Sequence, residues 1–176
     1  MLRLLLFRHA KTAREAGGGD HDRPLTTRGE EDSKRIGSYL KDEQLLVDLA
    51  IASDSRRTRQ TLDLALKAAD QHPKTRLDRA VYLAEPHTLL DVIRRTPADV
   101  HTLLMIGHNP GMADLAALLT GFGDRYAFAR MNTKFPTAAL AVLDFPVERW
   151  EEVAEHSGRL DRFVTPATLD PGVDDD

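Results

Sequence analysis

Four side chains of the sequence could together bind and transfer a phosphoryl group. Arg8 and His9 directly follow an apolar run that begins at Leu2, and His108 directly follows another apolar run. Arg57 lies a few residues after a further apolar run, where a helix is expected to begin. Arginine guanidinium groups match phosphate oxygens in pairs, and a neutral imidazole is a competent nucleophile. If the ends of the three runs meet, these residues predict a phosphoryl-transfer site.

The apolar runs are typical of buried strands, and the stretches between them have the apolar spacing of helices. We expect strands at residues 2–8, 48–53, 102–107 and 138–145, with shorter ones at 75–81 and, as an edge strand, 159–164. We expect helices at residues 27–42, 55–72, 86–96 and 112–119, and a helical turn at 147–153. This alternation predicts an α/β fold, a three-layer α/β/α sandwich with a mostly parallel central sheet. Ligands of such sheets bind beyond the carboxyl ends of the strands, where the four side chains lie.

The segment between the first strand and the first helix has its own signals. Residues 13–24 contain three consecutive glycines and no apolar period, which is typical of a loop. Thr27 followed by Glu30 fits a capping box, in which each side chain bonds the backbone N–H of the other residue. We therefore place the start of the first helix at this pair.

Length and composition limit the class of protein. A chain of 176 residues suits a single domain, which we expect at residues 1–168, followed by a disordered acidic tail at 169–176. The net charge of −4 provides no basic field for nucleic acid or a membrane surface, so we expect neither as a partner. The absence of cysteine excludes disulfide and thiolate chemistry. No run is long enough to span a membrane and no signal-peptide cleavage site is present, so we expect a cytoplasmic location.

Each candidate residue also has an ordinary explanation when it is considered alone. A single histidine after a strand is usually structural, and Arg56, Arg57 and Arg59 could form a solvated helix face. Zinc would need closely spaced ligands, whereas His9 and His108 are far apart and no His-Glu-x-x-His or paired-cysteine spacing is present. The joint placement at three strand ends is what favours phosphoryl transfer, and we expect neither a metal nor a cofactor.

Four segments also carry a family resemblance. Residues 7–11 are similar to an Arg-His-Gly signature, with Ala10 in place of the glycine. Residues 22–26 resemble an Arg-Pro-Leu-Thr segment, residues 53–61 a Ser-x-x-x-Arg-x-x-x-Thr element, and residues 106–110 a second-histidine element. In this order and spacing they resemble the histidine phosphatase superfamily, which has the phosphoglycerate-mutase-like fold. The alanine followed by lysine and the compact length are similar to its SixA-type phosphohistidine phosphatase branch.

The resemblance implies roles for the four residues. His9 would attack the phosphorus atom and be transiently phosphorylated, and water would then hydrolyse the phosphohistidine. Arg8, Arg57 and His108 would hold the phosphoryl oxygens in the transition state. The attack needs an unprotonated nitrogen, so we expect the other nitrogen of His9 to donate to a backbone carbonyl. We assign His108 as a hydrogen-bond donor and consider a protonated form of it.

Further residues are candidates for the leaving group and for substrate binding. Members that act on alkyl phosphates use a carboxylic acid to protonate the leaving oxygen; Glu85 is the first candidate here and Asp22 the second. Glu85 could equally be a solvated carboxylate at a helix N-terminus. A phosphohistidine needs no such acid, because protonation of its ring near pH 6.5 lets a neutral imidazole leave. Arg23, Thr12 and Asn109 are candidates for substrate binding, with an ion pair to a nearby aspartate as the alternative for Arg23.

We therefore expect a cofactor-independent phosphatase, in the first place a SixA-type enzyme whose partner is a protein that carries phosphohistidine. One alternative is a phosphomonoesterase or mutase that acts on a small phosphorylated substrate and shares the same fold. The other is a phosphate-binding module without turnover, against which the presence of both histidines and both arginines argues.

Overall fold

The structure, a computed structural model, describes residues 1–14 and 17–176. Glu15 and Ala16, within the loop expected at residues 13–24, lie outside the described residues. The strands are β1 (Leu2–Arg8), β2 (Leu49–Ala52), β3 (Lys74–Leu77), β4 (Thr102–Gly107), β5 (Thr120–Gly123), β6 (Leu140–Phe145) and β7 (Gly158–Val164). The α-helices are α1 (Thr27–Asp42), α2 (Arg56–Ala69), α3 (Pro86–Arg94), α4 (Gly111–Leu119), α5 (Arg125–Thr133) and α6 (Pro166–Leu169). Short 3₁₀ turns lie at Asp20–Asp22, Arg79–Val81 and Trp150–Glu152.

The strands form one sheet in the order β3-β2-β4-β1-β6-β7-β5. The strands β3, β2, β4 and β1 are parallel to their neighbours in this series, and β5 is parallel to β7. Only β6 is antiparallel to the strands beside it, β1 and β7. The mostly parallel sheet predicted from the sequence is therefore confirmed, and β1 occupies its centre.

The side chains of β1 alternate between two cores. Leu4 and Leu6 are fully buried in a cluster with apolar residues of α3, α4 and α5. Leu5 and Phe7 are equally buried in a second cluster, with residues of α1 and α2. Since successive side chains of a strand point to opposite faces, the sheet has helices on both sides. This is the predicted three-layer sandwich.

Three local expectations were wrong. The N-cap of α1 is Thr26, whose extended backbone lets its hydroxyl accept the Gly29 N–H at 3.0 Å, so Thr27 and Glu30 form no capping box. The strand β5 and the helix α5 were not expected, because Gly121 is typical of the end of the preceding helix. The strand β7 is consequently internal: it pairs with both β6 and β5, and β5 is the edge.

The acidic end of the chain lies against the domain. Asp175 accepts hydrogen bonds from the Thr165 hydroxyl at 2.7 Å and from the Ala167 N–H at 3.0 Å. The Asp176 carboxylate pairs with Lys11 and Arg28. The domain boundary at residue 168 and the disorder expected for residues 169–176 both stay predictions. No helix within residues 1–14 and 17–176 is long and apolar enough to cross a membrane.

Candidate active site

The candidate site lies where β1, β4 and β2 end side by side. His9 follows β1 and donates its backbone N–H to the Gly107 carbonyl at the end of β4, at 3.1 Å. Ser53, which follows β2, donates in the same way to the Ile106 carbonyl at 3.1 Å. These pairings bring the histidines after β1 and β4 together, and the ring centroids of His9 and His108 are 5.3 Å apart.

The His9 ring has one nitrogen committed to the backbone. The side chain is buried, and Nδ1 lies 2.8 Å from the Ala10 carbonyl oxygen. A carbonyl oxygen only accepts, so Nδ1 carries the hydrogen and Nε2 keeps its lone pair. Burial, reinforced by the neighbouring His108 and Arg8, lowers the pKa of His9 well below its usual value. The ring is therefore a neutral imidazole in the tautomer that a nucleophile at Nε2 requires.

The His108 ring is neutral as well. Its Nε2 lies 2.8 Å from Ser53 Oγ, and this oxygen accepts the Ser55 N–H at 3.2 Å. Its Nδ1 is buried without a hydrogen-bond partner among the described residues. Burial, and then the charge of Arg57, lowers the pKa of His108 to about 3. The protonated form considered from the sequence is thus disfavoured here, because a charged ring would be desolvated beside a guanidinium group.

Two guanidinium groups reach this place from different elements. Arg57 is the second residue of α2 and is only 2 % exposed. Arg8 ends β1, and its Nη1 donates to the Phe135 carbonyl at 3.1 Å. The Nε atoms of both arginines are buried without a partner in the described part of the chain. The site therefore holds two positive charges and polar nitrogens that an anion would satisfy.

The site contains two side chains that the sequence did not single out, Asp20 and Tyr82. The Asp20 carboxylate pairs with Arg57 Nη2 at 3.1 Å and accepts a hydrogen bond from the Tyr82 hydroxyl. The edge of the Tyr82 ring contacts the His108 ring, with centroids 5.3 Å apart. Both residues lie in irregular segments, where no period or spacing marks a side chain as part of a site.

Arg23 and Thr12 lie at the edge of this site and bind each other. Arg23 donates to the Thr12 hydroxyl, to the Ala13 carbonyl at 3.2 Å and to Asp20 Oδ1 at 3.1 Å. The ion pair considered as the alternative for Arg23 is therefore present, with Asp20 as its partner. Substrate binding by Arg23 and Thr12 stays a prediction.

Asn109 supports the site from the start of α4. Its Nδ2 donates to the Phe135 carbonyl at 2.7 Å, the same oxygen that Arg8 contacts. Its Oδ1 accepts the Ala113 N–H at 3.2 Å, which satisfies a free donor of the first helical turn. Both ends of the amide thus bind the protein, and contact with substrate stays a prediction.

The two carboxylates considered as a general acid, Glu85 and Asp22, form no hydrogen bond or ion pair with the four residues. Glu85 precedes α3 and lines a pocket of about 330 Å³ that is formed by residues 83–87, 110, 111 and 114. Asp22 is exposed, and neither carboxylate forms an ion pair or hydrogen bond with the described residues. The carboxylate that does lie in the site is Asp20. Within residues 1–14 and 17–176, no group of three or more His, Asp or Glu side chains could hold a metal ion.

Comparison with known proteins identifies the family. The model of the histidine phosphatase superfamily (branch 1) matches residues 4–80, which include Arg8, His9 and Arg57. An uncharacterized protein of Mycobacterium tuberculosis is 35% identical over 162 residues, which are 91% of this chain and 99% of that protein. A 2,3-bisphosphoglycerate-dependent phosphoglycerate mutase of Corynebacterium efficiens is 41% identical over 73 residues, 40% of this chain and 29% of the mutase.

Solved structures share the whole fold. The candidate phosphohistidine phosphatase SixA of Agrobacterium tumefaciens has a TM-score of 0.79 and 30% identity, and the match covers 94% of this chain and 98% of that one. A protein histidine phosphatase SixA complexed with tungstate has a TM-score of 0.78 and 21% identity, with 96% and 99% covered. The fold is phosphoglycerate-mutase-like, and the chain belongs to the histidine phosphatase superfamily. Within that superfamily it is SixA-like.

Proposed function

We propose that the protein is a phosphatase that removes the phosphoryl group from phosphohistidine on another protein, through a covalent phosphohistidine formed at His9. The observation that carries this proposal is a set of three buried nitrogen atoms without partners in the described residues: Arg8 Nε, Arg57 Nε and His108 Nδ1. A buried polar group without a partner costs about 1–3 kcal/mol. The oxygens of one phosphoryl group would partner all three.

The first step is the transfer of the phosphoryl group to His9. The Nε2 lone pair forms the new bond to phosphorus while the bond from phosphorus to the substrate nitrogen breaks. The phosphorylated His9 ring is then cationic, and its Nδ1–H is stabilised by the Ala10 carbonyl at 2.8 Å. In the second step water attacks the phosphorus atom, the Nε2–P electrons return to Nε2, and the proton of water leaves with phosphate or solvent.

Ser53 orients the second histidine for this reaction. In this proposal the Ser53 hydroxyl, whose oxygen accepts the Ser55 N–H, donates its own hydrogen to His108 Nε2. That arrangement puts the His108 hydrogen on Nδ1, the buried atom without a partner. His108 then donates to a phosphoryl oxygen while it stays neutral.

The surroundings of the leaving group favour a phosphoramidate over an alkyl phosphate. An alkoxide needs a proton from an acid, whereas the imidazole of phosphohistidine leaves neutral once its ring is protonated, near a pKa of about 6.5. The Asp20 carboxylate is held in its charged form, since the Tyr82 hydrogen bond and then Arg23 and Arg57 lower its pKa. The carboxylate that binds Arg57 is therefore poorly suited to protonate an alkoxide. The Glu85 carboxylate forms no hydrogen bond or ion pair with the described residues, and it lines a pocket with Pro110 and Gly111.

The test compares substrates. We expect kcat/KM for a phosphohistidine peptide to exceed that for an alkyl phosphate by about 100-fold or more, which is what a missing general acid costs. Glu85→Gln should leave turnover of the peptide unchanged. A preference for the alkyl phosphate that disappears in Glu85→Gln would instead establish a phosphomonoesterase for small molecules, with Glu85 as its acid.

A further inference from the structure

The Asp20 carboxylate occupies donors that a phosphatase needs for its substrate. Its Oδ2 accepts from Arg57 Nη2 at 3.1 Å and from the Tyr82 hydroxyl, and its Oδ1 accepts from Arg23 Nη1 at 3.1 Å. The backbone carbonyl of Asp20 also accepts from Arg57 Nη1, at 2.8 Å. The fork of Arg57, the buried arginine of the site, thus binds Asp20 through one carboxylate oxygen and through the backbone carbonyl oxygen.

The position of Asp20 allows its side chain to leave Arg57. The carboxyl side chain is 44% exposed, and ion pairs at that exposure contribute only about 0–1 kcal/mol. Asp20 begins a three-residue 3₁₀ turn, directly after Gly19, whose φ of 79° is in the left-handed region that glycine adopts without strain. A phosphoryl group carries more charge than a carboxylate and can therefore compete for Arg57.

Tyr82, in contrast, has aromatic contacts besides its hydrogen bond to Asp20. Its ring contacts His108 edge-on with centroids 5.3 Å apart, and contacts His21 with centroids 4.9 Å apart. His21 is itself fixed by Asp54, with Nε2 2.8 Å from Oδ1. The Tyr82 hydroxyl will therefore stay at this position when Asp20 leaves, with its hydrogen free for another anion.

We propose that Asp20 holds the place of phosphoryl oxygens in the free protein, and that Tyr82 is a ligand of the phosphoryl group once the substrate displaces Asp20. The inference rests on the proposed function for the identity of the substrate. Arg57 Nη2 and the Tyr82 hydroxyl exchange one anion for another, so these two donors keep a partner in both states. A role for Asp20 as general acid is disfavoured, because the three donors around it stabilise its charged form.

The test is equilibrium binding of inorganic phosphate by calorimetry, which needs no turnover. Asp20→Ala should bind phosphate about two- to fivefold more tightly, since the competing ion pair is gone. Asp22→Ala is the matched control, because it removes the same charge from the same turn, and Asp22 is exposed and makes no ion pair with the described residues. Tyr82→Phe should bind phosphate about tenfold more weakly, through loss of a hydrogen bond to an anion. Tyr126→Phe, at a tyrosine that is 83% exposed, should change nothing.

Two results would overturn the inference. Unchanged phosphate affinity in Asp20→Ala would show that Asp20 does not compete with phosphate. Affinity in Tyr82→Phe equal to or tighter than in the unsubstituted protein would show that Tyr82 only anchors Asp20. If either result is found and the protein still hydrolyses phosphohistidine, the proposed function stands and only this inference fails. If the affinities shift as predicted but the protein hydrolyses no phosphorylated substrate, the proposed function fails and the binding site stands.

Discussion

The imidazole of His9 has a free Nε2 because the backbone of the next residue uses Nδ1. The Ala10 carbonyl lies 2.8 Å from Nδ1, and the peptide N–H of Ala10 is itself held by the Thr61 hydroxyl at 3.1 Å. The tautomer is therefore set by a residue whose backbone is anchored on α2, the helix that also carries Arg57. One helix thus helps to position both the proposed nucleophile and a proposed phosphate ligand.

Arg57 is the residue whose replacement should most reduce transition-state stabilisation among the arginines of α2. We expect Arg57→Ala to lower kcat/KM by on the order of 10²-fold or more, as removal of a transition-state donor does. Arg57→Lys should recover only part of the loss, because an ammonium group keeps the charge without the planar fork. Arg59→Ala, on the exposed face of the same helix, is the control and should change little. Near-normal turnover in Arg57→Ala would contradict this role.

The lowered pKa of His108 makes stability depend on pH. In the unfolded chain His108 binds a proton with a pKa near 6.5, whereas in the folded protein its pKa is about 3. Acid therefore favours the unfolded state, and the stability present above pH 6.5 is lost as the pH falls from there toward 3, with a slope of up to about 1.4 kcal/mol per pH unit for one such group.

Urea unfolding between pH 7 and pH 4 checks this dependence. His108→Gln should flatten the pH dependence of the unfolding free energy relative to the unsubstituted protein. His72→Gln, at an exposed histidine, should not. Equal slopes in His108→Gln and in the unsubstituted protein would mean that His108 titrates normally when folded.

At the scale of elements, α1 is positioned by two close backbone approaches. A β-carbon at Gly29 would overlap the Lys11 carbonyl oxygen, and one at Gly37 would overlap the Ala65 carbonyl oxygen of α2. The first contact presses the start of α1 against the segment that follows His9. The second sets the distance between the two helices on this face of the sheet.

The contact at Gly37 can be tested by a substitution whose local and packing effects oppose each other. Alanine favours a helix over glycine by about 1 kcal/mol, but overpacking of a buried contact costs about 1–3 kcal/mol or more. We expect the cost of overpacking to exceed the gain in helix preference, so that Gly37→Ala lowers the free energy of unfolding, as measured by urea unfolding. Ser38→Ala, at the exposed neighbouring position, should be neutral or slightly stabilising. A more stable Gly37→Ala protein would show that the helices can separate without loss.

In the molecule as a whole, helices and strands with a clear apolar sequence pattern could be predicted. Strands that depend on pairing with a distant strand could not. The apolar run of β1, interrupted only by Arg3, and the strand-helix alternation up to α4 led to the observed mostly parallel sheet and three layers. The strand β5 was missed because two of its four residues are glycine, and it exists through pairing with β7, distant in sequence. The position of β7 inside the sheet could not be read from its own residues for the same reason.

The same division holds for the candidate site. Arg8, His9 and His108 stand directly at strand ends and Arg57 at a helix start, so their meeting followed from the alternation of elements. Asp20 and Tyr82 reach the site from irregular segments, and only their contacts with Arg57 and His108 reveal them. Glu85 has the right chemistry in the sequence, yet its carboxylate forms no hydrogen bond or ion pair with the described residues.

The proposed function requires that His9 forms a covalent bond to the phosphoryl group during turnover. The measurement is mass spectrometry of the protein after brief reaction with a phosphohistidine peptide and quenching in alkali, where phosphohistidine survives. We predict one phosphoryl group on His9 in the unsubstituted protein, and neither phosphorylation nor turnover in His9→Gln; His72→Gln should behave as the unsubstituted protein. Turnover that persists in His9→Gln, or a phosphoryl group found on another residue such as His108, would contradict the account.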